Sequence, residues 1–150
     1  MERTFVLLKP DAIQRCLAGE IVARFERRGF RILALRMLQV DRPLAERHYE
    51  VHRGKFFFDG LVKHLISGPS VAMVLEGEGA IEAVRKMVGV TIPHKAEAGT
   101  IRGDLGISGL RNLVHASDGP DTAAHEMSLY FKDSDLLEYD RAIDRWVFEE

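Results

Sequence analysis

The run Thr4-Phe5-Val6-Leu7-Leu8 constrains the fold of this chain more than any other stretch. It is rich in β-favouring residues and apolar on both faces, the pattern of a buried strand. It stops at Lys9-Pro10-Asp11. Proline has no N–H with which to extend a ladder. Lys9 is therefore left where the strand ends, either to close it or to meet an anion or a hydroxyl.

Alternating periods organise the rest of the chain. Leu17, Ile21, Val22 and Phe25 recur at helical spacing, and Gly29 is a natural C-cap. Arg31 to Val40 reads as a long strand, with Leu33, Leu35 and Met37 on one face and Ile32, Ala34, Leu38 and Val40 on the other beside Arg36. Pro43 to His64 is helical but broken by Gly54 to Gly60. Within that break Phe56, Phe57 and Phe58 cannot all enter one core, so at least one faces the surface or a cleft, where a ring can stack on a flat ligand. Val71 to Leu75 is a third strand, and Ala80, Ile81, Val84, Met87 and Val88 form a helical stripe capped by Gly89, with Arg85 off the stripe. Val90 to Val114 has no periodicity, a length of loop that in a compact domain is usually functional or disordered. Asp118-Gly119-Pro120 turns into a short helix around Asp121 to Glu126, and Met127 to Phe131 alternates as a fourth strand. With the insertions set aside, the order is strand, helix, strand, strand, helix, strand. That order predicts an α+β fold, a ferredoxin-like βαββαβ sandwich. Its four-stranded antiparallel sheet carries two helices on one face, with a helical insertion and a C-terminal tail, all in one domain over residues 1–150.

Composition narrows the function classes. At 46% hydrophobic the chain can build a core, yet it has no apolar run long enough for a membrane span and no leader-like N-terminus. Cys16 is the single cysteine, which excludes an internal disulfide and fits a reducing cytoplasm. A net charge of -2 without a basic run argues against nucleic acid as the main partner.

The chemistry gathers around Asn112-Leu113-Val114-His115-Ala116-Ser117-Asp118. A neutral imidazole nitrogen is a good nucleophile near neutral pH. Asn112 and Ser117 are placed to hold the ring in one tautomer or to reach a ligand. Taken alone, such a segment is more often a polar loop with a surface histidine. The chain also lacks a P-loop, the protein-kinase signatures and any paired Cys/His metal spacing. It does supply Lys9, Arg85, Thr91 and Arg102 as phosphate-binding groups, Phe57 for a base and His115 as a phosphoryl acceptor. Phosphoryl transfer needs positioning and charge neutralisation above all, and a histidine can split it into two easier steps.

Those residues, with Lys-Pro-Asp after the first strand, Gly99-Thr100-Ile101-Arg102-Gly103-Asp104 before the histidine and Trp146-Val147-Phe148-Glu149 at the end, resemble the nucleoside diphosphate kinases from Arg3 to Glu149. The resemblance implies the same βαββαβ fold. It also implies ping-pong transfer of the γ-phosphate of a nucleoside triphosphate such as ATP to a nucleoside diphosphate, with low base specificity. His115 would carry the phosphohistidine, and Glu126 and Ser117 would orient its ring. Lys9 and Asn112 would contact the sugar hydroxyls and nearby phosphate, and Tyr49 would help hold the site. Arg85, Thr91 and Arg102 would clamp the phosphates, and Phe57 would stack on the base. Mg2+ would arrive on the nucleotide phosphates with several waters, without a protein cage. A homo-oligomer in the cytoplasm is implied. The long tail resembles that of the hexameric members, with a tetramer as the alternative. Departures from the family's usual residues fall at Ala12, Ile92, Leu110 and Ala116. At Ala116 the added methyl matters only if the backbone there needs a positive φ. The rival readings are a ferredoxin-like binding module without turnover and a nucleic-acid-binding role.

Overall fold

The computed structural model describes residues 1–149. Strand β1 (Glu2–Leu8) runs into a short helix α1 (Pro10–Gln14), which Pro10 opens at a position where no N–H is needed. Helix α2 (Ala18–Arg28) ends at Gly29, whose φ of +106° closes the last turn. Strand β2 (Arg31–Gln39) follows, then α3 (Arg42–His48), N-capped by the Asp41 carboxylate on the Leu44 N–H, and α4 (Phe58–Leu65). Strand β3 (Pro69–Gly77) and helix α5 (Ala80–Val88) repeat the first strand–helix unit. Helix α6 (Ile101–Leu105), strand β4 (Val114–Ala116), helix α7 (Pro120–Tyr130) and a single turn α8 (Asp144–Val147) complete the chain.

The sheet has the order β2-β3-β1-β4, and every neighbouring pair is antiparallel. That is the α+β, ferredoxin-like arrangement the period order predicts. β1 lies inside the sheet, and Phe5, Val6, Leu7 and Leu8 are fully buried. Their alternate faces feed two cores. Val6 and Leu8, with Met73 and Leu75, pack under Ile21 and Phe25 of α2 and Val84 and Val88 of α5. Phe5 and Leu7, with Ala72 and Val74, pack under Ala45 of α3, Val62 and Leu65 of α4 and Tyr130 of α7. The expected pair of helices, α2 and α5, shares one face of the sheet. The insertion and α7 cover the second face, which is why β1 is apolar on both sides.

The fourth strand differs from the expectation. It is Val114–Ala116, and Met127 to Tyr130 belong to α7. Ala123, Glu126 and Tyr130 are the buried residues of that helix, a helical spacing whose middle member is a carboxylate. With Glu126 read as polar the stripe is hidden, and the apolar residues after it look like an alternating strand. In β2, a bulge between Ile32 and Ala34 puts Leu33 and Ala34 into the same core. Leu35 and Met37 are then left 55% and 60% exposed on an edge strand. No helix among the described residues is long and apolar enough to cross a membrane.

Candidate active site

β4 pairs with β1 through Val6–Ala116, Leu7–His115 and Leu8–Val114. Opposed residues of an antiparallel pair share a face. His115 therefore lies on the Leu7 side, toward α3 and α7. The approach to β4 is unusual, because Leu113 has a φ of +71°, costly for a residue with a Cβ. The Lys-Pro-Asp corner holds it there. The Leu113 N–H donates to Asp11 Oδ2 at 2.9 Å, and the Leu113 carbonyl accepts from the Lys9 N–H at 2.9 Å. Asp11 Oδ1 accepts in turn from His64 Nε2 at 2.9 Å, and Arg111 donates to His64 Nδ1. Burial pulls the Asp11 carboxyl up. The hydrogen bond from His64, the charge of Lys9 and the bond from Leu113 outweigh it and keep the group below its ordinary value, so it is ionised. Ala116 lies in regular strand, and the only non-glycine residues with positive φ among the described ones are Cys16 and Leu113. The Ala116 methyl therefore meets no backbone conflict. Ala12 is fully buried in α1.

The His115 ring is wired on one side only. Nε2 bonds Glu126 Oε2, while Glu126 Oε1 accepts from Ser117 Oγ at 3.2 Å. Ser117 therefore acts on the ring through Glu126 rather than directly. A carboxylate on Nε2 fixes the proton there and leaves Nδ1, which has no hydrogen bond among the described residues, with its lone pair. The side chain is 28% exposed, so the ring reaches solvent.

It opens on a cleft of about 530 Å³ whose lining includes Lys9, Tyr49, Phe57, Arg85, Thr91, Arg102 and Asn112. Lys9 Nζ donates to Asn112 Oδ1, and the Asn112 amide donates to the Thr91 carbonyl at 3.1 Å. Asn112 thus ties Lys9 to the loop carrying Thr91 and does not touch the imidazole. Arg102 is buried and spends its guanidinium on backbone, donating to the carbonyls of Asn112 (3.2 Å), Gly89 (3.0 Å) and Val114 (2.6 Å). Arg85 reaches the Ala116 carbonyl at 3.3 Å. Tyr49 is buried at the cleft wall. The three phenylalanines separate as their number requires: Phe58 enters the core, Phe56 is in solvent, and Phe57 stands half-buried at the mouth. The structure thus brings every candidate residue to one cleft, Ser117 by way of Glu126. Sequence reasoning missed His48, His64, Arg111 and Tyr130 around it, and it gave Asp11 no role beyond the turn.

The electrostatics follow from cations gathered in a shielded site. Burial first, then the nearby charges of Lys9, Arg102 and Arg85, hold the His115 imidazole far below its ordinary pKa, so it is neutral. Burial raises the Glu126 carboxyl to about 7, and burial lowers the Lys9 ammonium to about 8, helped by Arg102 and Arg111. The carboxylate form of Glu126 is lost as pH falls through about 7, and the charge of Lys9 is lost as pH rises through about 8. For the free enzyme, kcat/KM for a nucleoside triphosphate is therefore expected to peak between those values and to fall on both sides. A profile flat from about pH 6 to pH 9 would show that neither group titrates in the working site.

A model of the nucleoside diphosphate kinase family matches residues 2–136. The nucleoside diphosphate kinase of Carboxydothermus hydrogenoformans is 52% identical over 149 residues, spanning 99% of this chain and 100% of that protein. That of Archaeoglobus fulgidus is 51% identical over 150 residues, spanning 100% of this chain and 99% of the relative. The solved structure of a halophilic nucleoside diphosphate kinase from Halobacterium salinarum, in complex with CDP, matches with a TM-score of 0.96 and 45% identity over 99% of both chains. A helix-covered sheet of this order, a histidine backed by a carboxylate over a cationic cleft, and relatives matched end to end place the chain in the nucleoside diphosphate kinase family.

Proposed function

We propose that the chain, one domain over residues 1–150, works as a nucleoside diphosphate kinase by a ping-pong route through His115. The observation that carries this reading is the one-sided wiring of the ring. Glu126 holds Nε2, and Nδ1 is left free on the cleft shared by Lys9, Arg85 and Arg102. In the first half-reaction the Nδ1 lone pair attacks the γ-phosphorus. The P–N bond forms, the bond to the β,γ-bridging oxygen breaks, and the nucleoside diphosphate leaves. Positive charge that develops on the ring is balanced by the Glu126 carboxylate, so the Nε2 proton stays in place. In the second half-reaction a β-phosphate oxygen of another nucleoside diphosphate attacks the same phosphorus and breaks the P–N bond. Lys9 and Arg85 carry free donors toward the cleft and neutralise the migrating group. Arg102 contributes mainly field and loop geometry, since backbone carbonyls hold its nitrogens. Thr91, Asn112 and Tyr49 position the phosphates and sugar.

The carboxylates lining the cleft do not make a cage for Mg2+. Glu126 is taken by His115 and Ser117, Glu50 pairs with Arg53 at 2.9 Å, and Asp118 belongs to no cluster of three ligating groups among the described residues. The ion fits as cargo on the polyphosphate, with Asp118 as the cleft carboxylate that would face its waters, and when bound it would neutralise β- and γ-phosphate charge. Base recognition falls to Phe57, which makes T-shaped contacts with His52 and Phe56 at 5.2 and 5.3 Å and carries the Lys55 ammonium over its ring at 5.7 Å, a flexible side chain that an incoming base displaces. A π-face contact suits any base. Phe57→Ala is expected to raise KM by roughly tenfold for purine and pyrimidine nucleotides alike, in line with about 1–3 kcal/mol per stacked base. An effect confined to one base in initial-rate assays would contradict it.

The exposed Leu35 and Met37 on the β2 edge and the exposed Leu110 and Trp146 support an oligomer. We assign a hexamer rather than a tetramer, and sedimentation equilibrium is expected to give six times the 16.9 kDa chain. The single exposed thiol supports a cytoplasmic setting. The whole reading is tested by incubation with γ-labelled ATP. An acid-labile, alkali-stable label should form on the protein and be discharged by GDP. A binding module without turnover would take up none.

A further inference from the structure

His48 lies behind the nucleophile and plays no part in phosphoryl transfer through His115. Its ring meets His115 edge-on, with centroids 4.6 Å apart and planes at 74°. Nδ1 of His48 bonds Tyr130 Oη at 3.1 Å. Nε2 is buried and has no hydrogen-bond partner among the described residues. A buried, unpaired ring nitrogen costs free energy unless something occupies it. One ligand atom each from His48, His115 and Glu126 lies within 4.8 Å of the other two. Two imidazoles and a carboxylate form a zinc-type donor set, as found in sites that keep a fourth position open. Donor atoms on a tetrahedral ion with bonds of about 2.0–2.2 Å lie roughly 3.3–3.5 Å apart, so no separation has to close by more than about 1.5 Å, while the hydrogen-bonded His115–Glu126 pair has to open to admit the ion.

We propose that His48, His115 and Glu126 form a second, inhibitory site for a zinc-type cation. The ion is held by the histidines and the carboxylate, with its fourth position facing the cleft. The surroundings match what such ligands require. A metal-bound imidazole donates its other N–H to a partner, and a ligating carboxylate is itself hydrogen-bonded. His48 with Nδ1–H donated to Tyr130, and Glu126 with Oε1 bonded by Ser117, already meet both conditions. Mg2+ is a poor competitor for two nitrogen donors.

The inhibitory consequence rests on the ping-pong route proposed for His115, whereas the binding does not. A cation on Nε2 of His115 displaces the proton held there. That proton moves through solvent to Nδ1, and the ring remains neutral. Nδ1 then carries a hydrogen where the lone pair was, so the same ring cannot hold the ion and attack phosphorus.

The test uses chelator-stripped protein and zinc chloride in buffer without nucleotide or magnesium. Calorimetry is expected to find one ion per chain. Tyr130→Phe removes only the hydroxyl that supports His48, keeps the ring in the core, and should weaken the ion by roughly tenfold or more. His48→Gln should weaken it at least as much, while His125→Gln, outside the triad, should not. X-ray absorption of the zinc-loaded wild type should show nitrogen and oxygen donors with imidazole scattering and no sulphur. The zinc concentration that halves phosphoryl uptake from ATP, relative to each protein's own zinc-free rate, should rise in parallel with the weakened binding. Affinity unchanged in both Tyr130→Phe and His48→Gln, or a sulphur ligand from Cys16, would overturn the site. Binding lost in these variants with zinc failing to block uptake would retain the site and overturn its inhibitory role.

Discussion

His115→Ala is expected to abolish phosphoryl uptake and turnover, with a fall in kcat of at least about 10⁴-fold, the scale on which removing a covalent nucleophile acts. The groups closest to the ring cannot replace it. Glu126 is hydrogen-bonded and sits behind the ring, and His48 has its Nδ1 on Tyr130 and its Nε2 buried. The remaining cleft cations are donors without a lone pair at neutral pH, apart from the fraction of Lys9 that has lost its proton. Nucleotide binding should survive, because Lys9, Arg85, Phe57 and Asn112 reach the cleft without the imidazole. The fold should survive too. β4 is held by backbone pairing and by the buried Leu113, Val114 and Ala116, and the ring itself is partly in solvent. Rapid-quench labelling and equilibrium nucleotide binding on the same preparation separate these outcomes. Turnover within about tenfold of wild type would remove His115 from the reaction path.

The second large effect belongs to Arg102, and it falls on stability as much as on rate. Its guanidinium fastens three strands of backbone together: Gly89 at the end of α5, Asn112 before the strained Leu113, and Val114 in β4. Arg102→Ala leaves those carbonyls without this donor in a buried setting. With charge-assisted bonds at about 1.5–3 kcal/mol each and partial relaxation, a loss on the order of 3–5 kcal/mol is expected. In a chain of 150 residues that lowers Tm by roughly 10 °C or more. Arg102→Lys should recover only part of it, because an ammonium cannot match a planar fork spread over three acceptors. Phosphoryl transfer should slow by about 10²-fold or more, since the cationic field weakens and Asn112 and His115 lose their fixed approach. Differential scanning calorimetry alongside single-turnover rates would show both effects. A full loss of rate at unchanged Tm would instead mean that Arg102 turns from the backbone to grip phosphate.

Legibility in the sequence depends on which elements leave a periodic mark. β1, α2, β3 and α5 each bury a complete face, so their apolar spacing gives them away. β4 is three residues long, with a polar one in the middle, and offers no period to read. Helix α7 buries a carboxylate where an apolar residue would have declared the stripe, because Glu126 serves the imidazole. One element thus gives up its signature to the site, and its second half reads as a strand. The residues of the cleft are legible through their motifs. Their wiring is not. A positive φ at Leu113, held by Asp11, carries no sign in a leucine. Arg102 likewise reads as a phosphate ligand until its carbonyl partners are seen.

The position of the phosphoryl group on the ring tests the ping-pong route most directly. Phosphorus NMR of protein charged with ATP, joined to mass spectrometry at neutral pH, reports both the residue and the nitrogen. Because Glu126 holds Nε2, one phosphoryl group per chain is expected, on Nδ1 of His115. A group on Nε2, a group on another residue, or steady turnover with no phosphorylated protein at any time would contradict it.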